Sequence, residues 1–310
     1  VAMRESNIDI PLLIGGATTS LVHTAVKIAP EYDQTLYVTN ASKAVSAVSA
    51  ILTRKEQTLK SVNISYEEVR RKRKTKKSKL FDLSASESNK YVTVIPAVKP
   101  NNESIKHRYN FDKNEKQKII DMIDWRPFAT TWGMKPKDLT ESEAGAELID
   151  DALSMLELLK EQEDFSISAA ISINPSVKSG NDITVLHDGK SETFNFVRQS
   201  REKVATKNLS LSDFLHNKDW LGCFAVWVSG IDERTELLKE AGDDYRSILI
   251  QSLGDRLAEA TAEYMHKIVR TSLWGYSKDD MSNDDILAEK YLGIRPAPGY
   301  PACPDHTQKI

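Results

Sequence analysis

The sequence is poor in cysteine, has no long apolar run and shows little net charge, and each shortage removes a class of protein. Two cysteines among 310 residues, Cys223 and Cys303, fall short of a secreted disulfide framework, and a chain of this size can build cores without one. A reducing cytoplasm is the expected compartment. Every apolar stretch is interrupted by Ser, Thr, Gly or a charge before the roughly 18 residues that a membrane span needs, and the N-terminus carries no signal-peptide pattern. No membrane role is expected. A formal charge of −3 provides no bulk attraction for nucleic acid. The Gly-Lys-Ser/Thr ending of a phosphate loop is missing after Gly15-Gly16, which discounts that reading of the glycine turn.

The remaining composition, 40% hydrophobic and 28% charged, suits a soluble chain long enough for two domains. Charge is unevenly spread. Residues 70–79 carry eight positive charges and no negative ones, so the rest of the chain is markedly acidic. Like charges at that density repel one another, and the run reads as a solvated tether, with docking to an acidic partner as the rival.

Residues 10–16 form a short buried strand ending in a glycine turn, and Leu21, Thr24, Ala25 and Ile28 give helical spacing after Ser20. A second strand at 35–40 leads to Asn40, a candidate cap for a helix over 41–52. This β-α-β-α order implies a doubly wound parallel sheet, yet two strands cannot complete one. Val1-Ala-Met-Arg runs straight into that unit, so an excised piece is expected. Residues 80–110 are polar apart from an apolar island at 91–98 and read as linker. Beyond them the elements stop alternating: helices at 114–123 and 142–162, strands at 166–173, 182–187, 192–198 and 221–228, and an Asp188-Gly189 hairpin turn indicate an α+β domain. The long helix from about Asp244 to Ser272 buries Leu253, Leu257, Ala260, Tyr264 and Ile268 on one stripe. Asp255, Glu259 and His266 fall opposite, on what is ordinarily a solvated face.

Asp255 and Glu259, four residues apart, converge on one patch suited to a cationic ligand. Asp124, flanked by Trp125 and Phe128, is either a helix cap beside core aromatics or a partly desolvated anchor for a cation. Near the C-terminus, Arg295-Pro-Ala-Pro-Gly-Tyr-Pro-Ala-Cys-Pro-Asp-His306 contains four prolines in twelve residues. Proline fixes φ and removes a donor, so a stiff extended path with outward backbone groups is expected, either a rigid surface loop or a ligand wall bearing Arg295, Tyr300 and His306. Cys303 and His306 have metal-like spacing but lack partners, and no metal site is expected.

Several of these segments together resemble the cobalamin-dependent methionine synthase family. The proline-rich segment is similar to that family's S-adenosylmethionine-binding stretch, Asp255-Arg-Leu-Ala-Glu259 to its long ligand-lining helix, and Ile123-Asp-Trp-Arg-Pro-Phe128 to its third ligand segment. Leu12-Leu-Ile-Gly-Gly-Ala-Thr-Thr-Ser20 with His23-Thr24-Ala25 resembles the end of its cobalamin domain. The resemblance implies three regions: residues 1–62 as the C-terminal part of a cobalamin-binding domain, 63–90 as a basic linker, and 91–310 as an incomplete reactivation domain. It implies a partial Rossmann-like segment followed by an α+β domain with a mostly antiparallel sheet and long helices. S-adenosylmethionine would meet Asp124, Asp255 and Glu259 through its cationic groups, Arg295 through its carboxylate, and Ala297, Gly299 and Tyr300 through adenosine. Ser20 and Thr24 would meet the cobalamin tail. The family's Asp-x-His-x-x-Gly motif, which supplies the lower cobalt ligand, is absent from this sequence. Zinc would belong only to domains not included here.

The implied activity is methyl transfer from 5-methyltetrahydrofolate through cobalamin to homocysteine. This portion would support reductive remethylation of cob(II)alamin, with flavodoxin or an equivalent reductase and the other domains of the same polypeptide as partners. No general acid, base or nucleophile is expected in residues 90–310. The alternatives are a free-standing S-adenosylmethionine sensor and a docking module without catalysis.

Overall fold

The computed structural model describes all residues except 1, 2, 4, 5, 7, 16–18, 40, 76–79, 102–104, 203–205, 279–280 and 308–310. Gly16 of the glycine turn, the cap expected at Asn40 and the end of the basic run therefore lie outside the described residues. Two compact units are present, Val1–Lys79 and Leu80–Ile310. The boundary expected at residue 62 falls inside a helix of the first unit. Among the described residues no helix is long and apolar enough to cross a membrane.

In the first unit β1 (Leu12–Ile14) pairs in parallel with β2 (Thr35–Tyr37), Leu12 opposite Thr35. The crossover is α1 (Leu21–His23), which widens into a π-helical turn over Thr24–Ile28. Ser20 caps it by accepting the His23 N–H at 3.1 Å. Gly15 is required by packing, since a Cβ there would stand 2.8 Å from the Val38 carbonyl oxygen. The following helix, α2 (Ala41–Thr75), breaks at Arg54 (φ −150°, ψ 54°), and its second half places Tyr66 against Ala25 and Ala29. The Tyr66 hydroxyl accepts the Tyr37 N–H at 2.8 Å, tying helix to strand.

The second unit begins with α3 (Leu83–Ser88), inside the stretch read as linker, followed by β3 (Ile105–Asn110) and four helices: α4 (Lys113–Ile120), α5 (Trp125–Thr131), α6 (Asp138–Glu141) and α7 (Glu143–Lys160). Next come β4 (Ser166–Ser179), β5 (Asp182–His187), β6 (Lys190–Asn195) and β7 (Lys218–Ser229), then α8 (Asp232–Glu240), α9 (Asp244–Ile268) and α10 (Asn283–Leu287). The strands form one antiparallel sheet of order β3-β4-β5-β6 with β7 on the other side of β4. Ile167, Ala169, Ile171 and Ile173 alternate along β4 onto a single face and meet Leu253 and Leu257 of α9 in the main core. Period-two alternation directs Ser168, Ala170 and Ser172 to the other face.

Three expectations need correction. β4 runs six residues past its expected end at 173, because Pro175 falls where β3 has stopped pairing and β5 has not begun, so proline does not end the strand. β6 is shifted to 190–195, since the two-residue turn with left-handed Asp188 and Gly189 (φ 48° and 73°) starts it at once. The regular α-helix of α9 ends at Ile268 and gives way to a π-helical turn over Val269–Leu273. Its opposite stripe is also not simply solvated: Glu263 and His266 are buried beneath residues of the C-terminal segment.

Candidate functional site

A cleft of about 1250 Å³ lies in the second unit, with Asp255, Glu259 and His266 of α9 on one wall and Arg295 and Ala297 on another. The i, i+4 spacing seen in the sequence continues one turn further than expected, to Glu263. Arg295 donates from Nε to Glu263 Oε1 at 3.1 Å, from Nη2 to the same oxygen, and from Nη2 to Glu259 Oε1 at 3.2 Å. Burial works against the arginine's charge, but the two glutamates outweigh it and raise its pKa. The guanidinium is thus a fixed cation between two carboxylates.

Around this triad sits an aromatic and cationic cluster that sequence reasoning missed. Tyr291 packs edge-on against His266 at 4.7 Å and accepts the Arg270 guanidinium over its ring at 4.3 Å. Burial, reinforced by Arg270 and Arg295, pushes the His266 pKa down to about 3, so the ring is neutral at physiological pH. Burial and Glu263 push the Tyr291 hydroxyl up to about 12. Three buried polar atoms, Glu263 Oε2, His266 Nδ1 and Arg270 Nη1, have no partner among the described residues. The continuing acidic stripe was the one sequence signal for Glu263. Tyr291 gave none, because its partners are distant in the chain.

The structure brings Asp255, Glu259, Arg295 and Ala297 to one cleft. Asp124, Gly299 and Tyr300 are not on its lining. Asp124 caps α5, accepting the Arg126 N–H at 3.0 Å, and binds the Arg126 guanidinium at 2.8–3.1 Å. Burial raises its pKa, yet the Arg126 bonds and the charge of Arg256 prevail and hold it below the usual carboxylate value. Arg256 lines the cleft, so Asp124 acts on that wall electrostatically.

The proline-rich segment departs from the expected extended path. Residues 297–303 close into a turn through Tyr300 N–H to Ala297 O, Gly299 N–H to Cys303 O and Cys303 N–H to Tyr300 O. Gly299 holds φ 106° there, and an added Cβ would come within 2.6 Å of the His306 ring. The Gly299, Tyr300 and Cys303 N–H groups thus turn inward rather than outward. Tyr300 is left exposed. Among the described residues no cluster of metal-ligating side chains exists.

The first unit places Ser20 and Thr24 at the crossover that follows β1. Ser20 is engaged as a cap, whereas Thr24 is fully buried and its hydroxyl has no partner among the described residues.

Fold and cleft together define an α+β domain in which an antiparallel sheet and one long helix enclose a charged hollow. Residues 115–310 match the family model for the activation domain of vitamin B12 dependent methionine synthase, and the chain belongs to that family. The chain is also similar to a solved structure of the MetH reactivation domain bound to AdoHcy. Identity is 32%, the match covers 74% of this chain and 76% of that one, and the TM-score is 0.65.

Proposed function

We propose that the cleft binds S-adenosylmethionine and that the second unit serves reductive remethylation of cobalamin within a methionine synthase. The supporting observation is the cleft itself: a guanidinium held between carboxylates suits the carboxylate of an amino-acid ligand, while Asp255 and Glu259 suit its ammonium and sulfonium. The solved relative bound to AdoHcy, a compound of the same adenosine and amino-acid construction, supports the same reading. The protein's share of the work is orientation and electrostatics: it holds the methyl donor in a charged hollow and supplies no acid, base or nucleophile.

Cobalamin, when bound, supplies the cobalt that carries the methyl group. On this chain its tail would be held at the carboxyl end of β1, where Thr24 offers a buried, unpartnered hydroxyl and Gly15 keeps the backbone free of a side chain. That arrangement fits a polar group entering beside Ser20 and Thr24. Flavodoxin or an equivalent reductase would supply the electron, and the folate and homocysteine steps would belong to other domains of the polypeptide.

Titration calorimetry with S-adenosylmethionine tests the first part, and absence of binding to a folded chain would overturn it. Asp124→Asn is expected to weaken that binding several-fold, because the carboxylate no longer balances Arg256 on the cleft wall. Unchanged affinity would remove Asp124 from the site.

A further inference from the structure

A guanidinium offers two forks to carboxylates, a side-on edge formed by Nε with one Nη and an end-on edge formed by Nη1 and Nη2. In this cleft the side-on edge of Arg295 is taken by a single oxygen, Glu263 Oε1, which receives both Nε and Nη2. The end-on edge is only half used. Nη2 also reaches Glu259, and none of these bonds uses Nη1. The two glutamates differ in solvation: the Glu263 side chain is 11% exposed and that of Glu259 is 49% exposed. An exposed pair at 3.2 Å is weak and easily exchanged, whereas a desolvated one is costly to open. The Glu263 pair is therefore the permanent one and the Glu259 pair the labile one.

We propose that the cleft admits its ligand by exchanging ion pairs. The ligand's carboxylate displaces Glu259 from the end-on edge of Arg295, the released Glu259 receives the ligand's ammonium, and Glu263 keeps hold of the guanidinium throughout. Glu263 is then a positioning residue that never touches the ligand, and the site selects zwitterions. A compound bearing both charges replaces one broken pair with two new ones. A compound lacking the carboxylate leaves the pair closed and finds Glu259 already engaged. This inference rests on the proposed binding of S-adenosylmethionine and adds the basis of its selectivity.

The test measures affinity of the full chain for S-adenosylmethionine and for its decarboxylated analogue by calorimetry, with melting curves as a check of folding. Glu263→Gln is expected to weaken S-adenosylmethionine about tenfold, the effect of losing a charge-assisted contact worth ~1.4 kcal/mol, while changing the analogue by less than about twofold. Glu263→Asp, which keeps the charge but withdraws it, should show the same selective loss to a smaller degree and serves where the glutamine variant folds poorly. Glu259→Gln should weaken S-adenosylmethionine, which loses its ammonium partner, and change the analogue by less than about twofold, because the analogue never gains that partner. Equal losses of both compounds on altering Glu263, or no loss of either, would overturn the exchange while leaving the cleft as the binding site. A folded, unaltered chain that binds neither compound would instead overturn the proposed function, and the exchange with it.

Discussion

Arg295→Ala is expected to reduce affinity for S-adenosylmethionine at least about thirtyfold and to destabilise the second unit, because one side chain serves both ends. On the binding side, truncating one partner of a desolvated, hydrogen-bonded charge pair costs ~2–5 kcal/mol, of which thirtyfold represents the lower bound. The stability loss has a separate cause. Glu263 would remain beneath the C-terminal segment with no cation to compensate it, and breaking a buried pair in that way costs ~3–5 kcal/mol. The pair here retains slight solvent access, the arginine side chain being 19% exposed, so ~2–3 kcal/mol is the better expectation. A double variant separates the two effects. Arg295→Met combined with Glu263→Leu removes both charges and fills their volume, and it should recover most of the melting temperature while recovering none of the affinity. Recovery of binding in the double variant, or a single variant that binds normally, would show that the arginine acts only in folding.

The distinction between legible and hidden features follows contact range. Leu253, Leu257, Ala260 and Tyr264 emerge from a helical period alone because the core they face occupies a single side of α9. The Asp188-Gly189 hairpin is equally local, its turn geometry being a property of two residues. By contrast, burial of Glu263 and His266 depends on the irregular segment from Tyr291 to Arg295 folding back over the helix, and no window of sequence contains both partners. The same limit hid the length of β4. Proline is a local signal against a strand, but its cost depends on whether a neighbour requires the missing N–H at that position. The candidate site shows both sides of this rule. Asp255 and Glu259 stand out by spacing and Arg295 by its stiff surroundings, yet the arginine's partner Glu263 required the three-dimensional arrangement. For Gly299 and Tyr300 the proline content suggested an extended wall, while inward backbone hydrogen bonds close the segment into a turn that turns them off the cleft lining.

Arg198→Ala is expected to have the largest effect on folding, at a residue with no sequence signal at all. Its side chain is 2% exposed, and its guanidinium spends every donor on the protein. Nη1 bonds Asp213 Oδ2 at 2.6 Å and the Asn208 carbonyl at 2.7 Å, Nη2 bonds Asp213 Oδ1 at 2.6 Å and Asn181 Oδ1 at 2.7 Å, and Nε bonds Glu87 Oε1 at 3.1 Å. These partners come from α3, the β4–β5 turn and the loop preceding β7, which share no backbone ladder with one another. One arginine therefore fastens three segments. Asp213 also accepts the Ser210 N–H at 3.0 Å and is itself buried, so truncation would leave a desolvated carboxylate without its cation. The expected loss is ~3–5 kcal/mol, a large part of the ~5–15 kcal/mol that stabilises a typical domain. Arg198→Lys should recover little, because an ammonium concentrates three donors at one point and cannot span the fork to Asp213 while reaching Glu87. Urea unfolding followed by tryptophan fluorescence measures both variants. An unfolding free energy within about 1 kcal/mol of that of the unaltered chain would mean that water replaces these bonds without penalty. Because Phe196, Leu211 and Phe214 beside this network also line the cleft, a folded Arg198 variant should lose ligand affinity as well. That secondary loss would affect S-adenosylmethionine and its decarboxylated analogue alike, unlike the selective loss expected from altering Glu263.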